Sequence, residues 1–340
     1  MDNRNKNYFK ILCKRFNILI TRNSINYSIS LMFLFIVLFF WLNTFEWLFS
    51  NFDWEVVQSN LHLYTFGSFP KSQQWRPAIW LISLIFLFFL TVLGPNKKWI
   101  QKISTIGWIC TLPLGIFLLY GNFGLTPVMS RNFGGLTLTI FLTVCSSFFS
   151  LPIGIALAFC RKSSLQLIRK ISSIYIDIMR SVPLISVLFF GQLLIPLFLP
   201  AGIQIDRVWR AIFAFTLFVS AYIAEDIRGG LQSIPKTQVE AANSIGLNKF
   251  QIIWFILIPQ SIQTALPALT NQSIGLFQNT SLMSILGLVE LLGVGRSILA
   301  NPEFIGQYIE VYIWLAFLYW IICTIMALIA RSIEKKLNVN

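Results

Sequence analysis

Eight long apolar runs dominate this chain, and each can cross a lipid bilayer as a helix. A helix advances about 1.5 Å per residue and the hydrocarbon layer is about 30 Å thick, so a crossing takes about 20 residues. Backbone groups facing lipid must pair within their own segment, and runs this continuous exclude barrel strands. The predicted fold class is therefore all-α, a polytopic membrane protein. The predicted spans are residues 27–45, 78–94, 103–121, 134–160, 173–199, 208–227, 261–282 and 308–330.

The charge distribution predicts how these spans are oriented. The chain is 56% hydrophobic, 11% charged and carries a net charge of +13. A nucleic-acid partner needs one continuous basic face, whereas these basic residues form short clusters between spans. If both termini are cytoplasmic, 20 of the 26 lysines and arginines lie inside. The excess of positive charge on cytoplasmic loops therefore predicts that orientation.

The chain is expected to divide near residue 133. Residues 1–132 contain three spans and one sizeable outer loop, and residues 133–340 contain five spans and a polar inner segment, 233–259. The single histidine, His62, has no nucleophile motif or cluster of metal ligands beside it, so the sequence predicts neither a catalytic site nor a metal site.

The inner segment 233–259 is predicted to form two short helices. Arg228–Gly230 are expected to end the sixth span, and Ser233 to cap a helix over Lys236–Ser244. Gly246 should end that helix, in a turn that needs a positive φ. A second helix is then expected to end at Pro259, which cannot continue a regular hydrogen-bond ladder.

Glu240, Ala241 and Ala242 are expected on the exposed part of the first of these helices. Small alanine side chains let the groove of another protein approach closely. An ordinary amphipathic helix lying at the membrane surface is the alternative, because such helices are common between spans.

The spacing within this segment distinguishes the two interpretations. Glu240-Ala241-Ala242 is followed after three residues by Gly246, and after nine more by Ile256-Leu257-Ile258-Pro259. This resembles the EAA loop of type I ABC importer permeases, EAA-x3-G-x9-I-x-L-P, with Ile258 in place of leucine. The resemblance implies that the loop is a coupling helix seated in a groove of a cytoplasmic ATPase.

Further runs are similar to the amino-acid branch of the same family. They lie at the start of the first core span, before the next span, at the end of the sixth span and inside the seventh. These runs are Gly135-Leu136-Thr137-Leu138-Thr139, Arg180-Ser181-Val182-Pro183, Ala221-Tyr222-Ile223-Ala224-Glu225 with Arg228-Gly229-Gly230, and Gln278-Asn279-Thr280-Ser281-Leu282.

The resemblance implies a type I importer (MetI-like) core of five helices, preceded by three extra N-terminal helices as in general L-amino-acid permeases. The implied location is the bacterial inner membrane. Implied partners are a cytoplasmic ABC ATPase dimer, a second permease subunit that is identical or related, and a periplasmic amino-acid-binding protein. ATP and Mg²⁺ belong to the ATPase, and this chain binds no cofactor. The implied coupling residues are Glu240, Ala241, Ala242, Gly246, Ile256 and Pro259.

Two polar groups within the spans need an explanation, because polar side chains are costly in hydrocarbon. Glu225 and Arg228 lie three residues apart on one helix face, and form either a structural pair or a gate. The second group either contacts a zwitterionic substrate or forms hydrogen bonds between helices. It consists of Gln278, Asn279, Thr280 and Ser281.

The outer end of the last two spans carries Glu290, Arg296, Glu303 and Glu310. This surface would receive a binding protein, and each of these charges is expected to be solvated.

The rival to an ABC permease is a gradient-driven secondary transporter or channel, which usually contains inverted repeats or carboxylates at the membrane midplane. Neither feature is visible in the sequence. A membrane-bound assembly factor would leave the spacing of the loop unexplained.

Overall fold

The computed structural model describes residues 27–44, 46–47, 53–94, 97–121, 124–200 and 202–338. The chain forms two compact units, residues 1–54 and 55–340. Helix α1, Tyr27–Thr44, lies in the first unit and is apolar and long enough to cross a membrane. Residue 45, the predicted end of this span, lies outside the described residues. The predicted division near residue 133 concerns the extent of the transporter core and stays a prediction.

The second unit is helical throughout its described elements. Short helices α2 and α3 precede the first long helix, and a short helix α14 precedes the last. Predicted spans are confirmed in α4, α5, α6, α10 and α15. The bounds are α2 Glu55–Ser59, α3 Leu61–Phe66, α4 Trp75–Val92, α5 Lys98–Tyr120, α6 Gly135–Arg161, α10 Arg207–Ser233, α14 Leu291–Leu299 and α15 Tyr308–Asn338.

The predicted span 173–199 is formed by two helical segments with a sharp bend between them. Helix α7, Gln166–Ser181, is followed by a segment, Leu184–Phe198, that departs from it by 107°. That segment comprises α8, Leu184–Phe189, a π-helical turn and α9, Ile195–Phe198. The ring of Pro183 disfavours helical backbone in the residue before it, and Val182 is extended at φ −89° and ψ 138°.

The bent pair nevertheless accounts for the eighth crossing. Arg161 at the end of α6 contacts Glu225 near the end of α10 at 2.6 Å. Helices α6 and α10 therefore end at the same membrane surface and run in the same direction. The chain must return across the membrane between them, and the bent pair is the helical part of that connection.

Helix α10 continues past the predicted stop at Gly229 and Gly230 and ends at Ser233. Gly230 is needed for packing instead of capping, because a Cβ there would lie 2.4 Å from the carbonyl oxygen of Ser261. The glycine lets α10 approach the neighbouring helix closely.

Pro259 does not end a helix either, so the prediction of a stop there is wrong. Helix α12, Lys249–Ile252, passes through a π-helical turn, Ile253–Leu257, into helix α13, Ile258–Asn279. The wider π-turn accommodates the proline ring and its missing N–H. A 3₁₀ segment, Thr280–Leu286, follows directly, so one helical rod covers residues 249–286.

The core of the second unit lies around α6 and α10, where Phe141 and Phe215 are fully buried. Trp80 of α4 packs edge-on against Phe141 at 5.9 Å between ring centroids. Its indole N–H donates to the carbonyl of Thr111 in α5, at 2.9 Å. Aromatic packing thus joins the α4–α5 hairpin to the first core helix.

Candidate coupling loop and intramembrane polar network

Helix α11, Lys236–Ser244, has the predicted bounds, but its N-cap is Pro235 and the prediction of Ser233 is wrong. The Ser233 hydroxyl donates to the carbonyl of Gly230 at 2.8 Å, so this residue completes the previous helix. Pro235 suits this position because its fixed φ of −60° leads directly into a helix.

Gly246 ends α11 in the left-handed conformation, with φ +82°. The N–H of Leu247 donates to the carbonyl of Ala242 at 3.1 Å, and the N–H of Gly246 donates to that of Asn243 at 3.0 Å. This pair of bonds is a Schellman motif. Among the described residues no heavy atom lies within 4 Å of a Cβ built on Gly246, so the requirement for glycine is conformational.

Asn248 begins the next helix with a capping box that the sequence predictions missed. Its side chain accepts from the N–H of Gln251, and the Gln251 side chain accepts from the N–H of Asn248, both at 2.9 Å. The N-x-x-Q spacing is a recognisable signal for this motif. The connection between α11 and α12 is therefore fixed on both sides of Leu247.

The predicted coupling residues do not share one surface. Glu240, Ala241 and Pro259 are exposed, and Ile256 is half-buried. Ala242 is only 4% exposed, so the prediction that it lies on the outer face is wrong. Successive residues on a helix point about 100° apart, so Ala242 faces the protein while its neighbours face solvent.

Two further residues shape the exposed side of this loop. Ile245, between α11 and Gly246, is 77% exposed although it is apolar. The Gln260 amide donates to the side-chain carbonyl of Gln238 at 2.8 Å, which links α11 to α13. The α11 helix thus presents an apolar end while it is bonded to a long membrane helix.

Glu225 lies at the centre of an ion-pair network, which includes the predicted pair with Arg228. Its carboxylate receives hydrogen bonds from Arg228 at 2.8 and 3.0 Å and from Arg161 at 2.6 Å. Arg180 contacts the same carboxylate at 3.4 Å, and Arg161 also contacts Asp177 at 3.2 Å. The network ties α6 and α7 to α10 at one membrane surface.

Sequence reasoning missed Arg161 and Arg180 as partners of Glu225. Arg180 belongs to a recognised motif and also lies over the ring of Tyr222, 5.6 Å from its centroid. Arg161 is 64 residues away from Glu225 in sequence, and no local pattern encodes that contact. The sequence marks Arg161 only as a basic residue at the end of an apolar run.

The four polar residues of the seventh span divide between two environments. Gln278 and Asn279 are exposed at the end of α13, whereas Thr280 is fully buried and donates to the carbonyl of Phe277 at 2.7 Å. Ser281 is half-buried in the 3₁₀ segment. The change of helix type at Thr280 separates these side chains, so they form no continuous patch.

Glu290 is fully buried, so the expectation that it lies on a solvated face is wrong. It caps α14 by accepting the N–H groups of Leu292 at 2.8 Å and Gly293 at 2.9 Å. The Tyr319 hydroxyl also donates to it, at 3.3 Å. Burial raises the pKa of this carboxyl to about 7, against the lowering effect of these hydrogen bonds and of Arg296.

Comparison with known proteins relates this arrangement to a family. Residues 150–339 match the family described as binding-protein-dependent transport system inner membrane component. The chain is 36% identical over 290 residues to the inner membrane amino-acid ABC transporter permease protein YhdY of Escherichia coli K12. This alignment covers 84% of this chain and 78% of YhdY. It is 37% identical over 215 residues to the glutamate/glutamine/aspartate/asparagine transport system permease protein BztC of Rhodobacter capsulatus, covering 63% of this chain and 50% of that one.

A solved structure has a similar fold. It is a crystal structure of an amino acid ABC transporter with histidines, and it aligns with a TM-score of 0.53 and 28% identity over 59% of this chain and 92% of that chain. The family match, the similarity to YhdY over 290 residues and the helical architecture all indicate the same family. This chain belongs to the binding-protein-dependent transport system inner membrane component family.

Proposed function

We propose that this chain is the transmembrane permease subunit of an ATP-driven importer for L-amino acids. It forms the translocation pathway and couples to a separate ATPase. Relatives whose names describe amino-acid permeases support the substrate class. The observation that carries the coupling role is α11, a short exposed helix that is stopped by Gly246 and bonded to α13 through Gln238 and Gln260.

The geometry of α11 suits the transmission of force. Glu240 and Ala241 are exposed, and Ile245 offers an apolar contact at the end of the helix. The capping box at Asn248 begins the rod that runs through residues 249–286. A displacement of α11 would therefore be transmitted to the membrane helix at residues 249–286 without first deforming a loop.

The other subunits of the proposed transporter follow from this role. A dimer of cytoplasmic ATPases binds ATP and Mg²⁺ and receives α11 in a groove. A second permease subunit, identical or related, completes the pathway, and a periplasmic binding protein delivers the amino acid. In the proposed role, α11 and both chain termini lie in the cytoplasm, which is the orientation that the distribution of basic residues predicts.

Gln278 and Asn279 are the polar residues of the seventh span best placed to contact a substrate. Both are exposed at the end of α13, where an amide side chain could replace water around a zwitterion. The buried Thr280 bonds within its own segment and has a structural role.

The coupling role is tested at Gly246, with Gly229 as the matched control. Among the described residues, no heavy atom lies within 4 Å of a Cβ added at either position, but only Gly246 has a positive φ. Gly246→Ala should therefore cost about 1–2 kcal/mol in the turn, whereas Gly229→Ala lies in a helix and should not destabilise it. Gly246→Asn should be tolerated better, because asparagine enters the left-handed region more readily.

The measurements are co-purification of the ATPase with the tagged chain and ATP-dependent uptake in proteoliposomes. We expect both to fall for Gly246→Ala and to persist for Gly229→Ala. Normal assembly and uptake of Gly246→Val would contradict the coupling role of this turn. Uptake that stops when ionophores collapse ion gradients, with ATP present, would favour a gradient-driven transporter instead.

A further inference from the structure

Helix α7 begins and ends at the same membrane surface. Only four residues separate its first residue, Gln166, from the end of α6 at Arg161. At the other end of α7, Arg180 contacts Glu225 at 3.4 Å, and Glu225 also contacts Arg161 at 2.6 Å. Sixteen residues form a helix about 24 Å long, so a crossing α7 would hold its two ends most of a hydrocarbon layer apart. Both ends therefore lie at the surface where α6 and α10 end.

The bend after α7 agrees with this orientation. The segment Leu184–Phe198 departs from α7 by 107° and leads from that surface into the membrane. A helix nearly perpendicular to a crossing segment runs along the membrane surface. The crossing is thus left to Leu184–Phe198, and α7 lies close to the plane of the membrane.

Two faces of α7 have clear surroundings. One face packs on the protein, where Ser172 and Ile176 are buried and the Tyr175 hydroxyl donates to the carbonyl of Leu217 in α10 at 2.7 Å. A second face is polar, and its members recur every three or four residues, so they share one side of the helix. They are Gln166, Lys170, Ser173, Asp177 and Ser181.

The third face of α7 is apolar and exposed. Its four side chains are each between 51% and 71% exposed, and they are Leu167, Ile171, Ile174 and Ile178. Spacings of four, three and four residues place them in one row along the helix, which we call the apolar row. The row points away from the buried Ser172 and Ile176, so it is no part of the packed core.

We propose that α7 binds the surface of the lipid bilayer, with the apolar row buried at the boundary between headgroups and acyl chains. Helices in this position combine an apolar face with a polar face that carries basic residues, and Arg169 and Lys170 are exposed on α7. The row is continuous in sequence with the crossing segment, whose Phe189 and Phe190 are also exposed. This inference is independent of the proposed transport function.

The first test is photolabelling of the full chain in nanodiscs of phosphatidylcholine that carries a diazirine on an acyl chain, close to the headgroup. Trypsin cleaves after Lys170 and Arg180, so residues 171–180 form one peptide in which fragmentation locates each adduct. We expect lipid adducts on the apolar row and none on Ser172 or Ile176, which face the protein.

The second test compares Ile171→Cys with its neighbour Lys170→Cys in nanodiscs, using a charged maleimide. Peptide mapping distinguishes the new cysteine from the native ones. The thiolate is the reactive form, and apolar surroundings disfavour it. We expect Ile171→Cys to react at least about tenfold more slowly than Lys170→Cys, since one unit of pKa changes the thiolate fraction about tenfold.

Ile82 of α4 is 62% exposed and serves as the positive control for lipid access. Adducts on Ile82 without adducts on the apolar row would overturn the proposal. Equally fast reaction of Ile171→Cys and Lys170→Cys would place the row in water and would overturn it too. Slow reaction of Ile171→Cys without lipid adducts would show that a protein, such as a second copy of this chain, covers the row instead of lipid.

Discussion

Replacing Glu225 by glutamine should destabilise the protein far more than replacing Asp177 by asparagine. Both substitutions turn a carboxylate into an amide, and both carboxylates contact Arg161. Their surroundings differ, because the Glu225 side chain is 13% exposed and the Asp177 side chain is 61% exposed. The pair thus compares one chemical change in two environments.

The expected magnitude follows from the contacts of each group. Glu225 balances three guanidinium groups at 2.6, 2.8 and 3.4 Å, and Glu225→Gln leaves them facing one another. Breaking a buried ion pair costs about 3–5 kcal/mol, while an exposed pair contributes about 0–1 kcal/mol. The arginines are 25–41% exposed, so we expect about 3 kcal/mol for Glu225→Gln and less than about 1 kcal/mol for Asp177→Asn.

The assay is thermal unfolding of the purified variants in one detergent, at low and high salt. A shift on the order of 2 °C per kcal/mol is expected for a chain of this size. Salt should reduce the small effect of Asp177→Asn more than that of Glu225→Gln, because exposed charges are screened more strongly. Equal shifts for the two variants would refute the central role of Glu225. If the network also acts as a gate, Glu225→Gln raises ATP hydrolysis in the assembled transporter without substrate.

Two further predictions concern the seventh span and the cap of α14. Asn279→Ala should lower uptake in proteoliposomes without reducing co-purification of the ATPase, whereas unchanged uptake would remove Asn279 from the pathway. Burial raises the pKa of Glu290 from 4.5 to about 7, so between these pH values the folded state binds more protons than the unfolded state. The free energy of unfolding therefore falls as pH rises through about 7. Glu290→Gln keeps an acceptor for the cap of α14 and should abolish this pH dependence, which is measured by equilibrium unfolding at pH 5 and pH 8. An equal fall in the free energy of unfolding of the variant would show that Glu290 is not the titrating group.

Sequence patterns predicted the elements whose cause is local. Hydrophobic length gave the positions of the spans, and glycine chemistry gave the positive φ of Gly246. The bounds of α11 followed from residues immediately beside it. The errors arose where packing overrides a local signal, as at Gly230, which looks like a helix stop but serves close contact with Ser261.

Long-range contacts could not be predicted in this way. Arg161 and Glu225 meet across 64 residues, and burial of Glu290 depends on Tyr319 from another helix. Charge alone suggested that Glu290 faces solvent. A buried carboxylate that caps a helix has the same local sequence as an exposed one, so only the tertiary structure distinguishes them.

The bend before Pro183 has a consequence for the membrane itself. The helical segment Leu184–Phe198 contains 15 residues and is about 22 Å long at 1.5 Å per residue, which is less than the hydrocarbon thickness of about 30 Å. A short crossing of this kind either thins the adjacent bilayer or leaves part of its depth to be covered by neighbouring protein. This crossing therefore depends on what lies beside it, unlike α10, whose 27 residues at about 1.5 Å per residue exceed the hydrocarbon thickness.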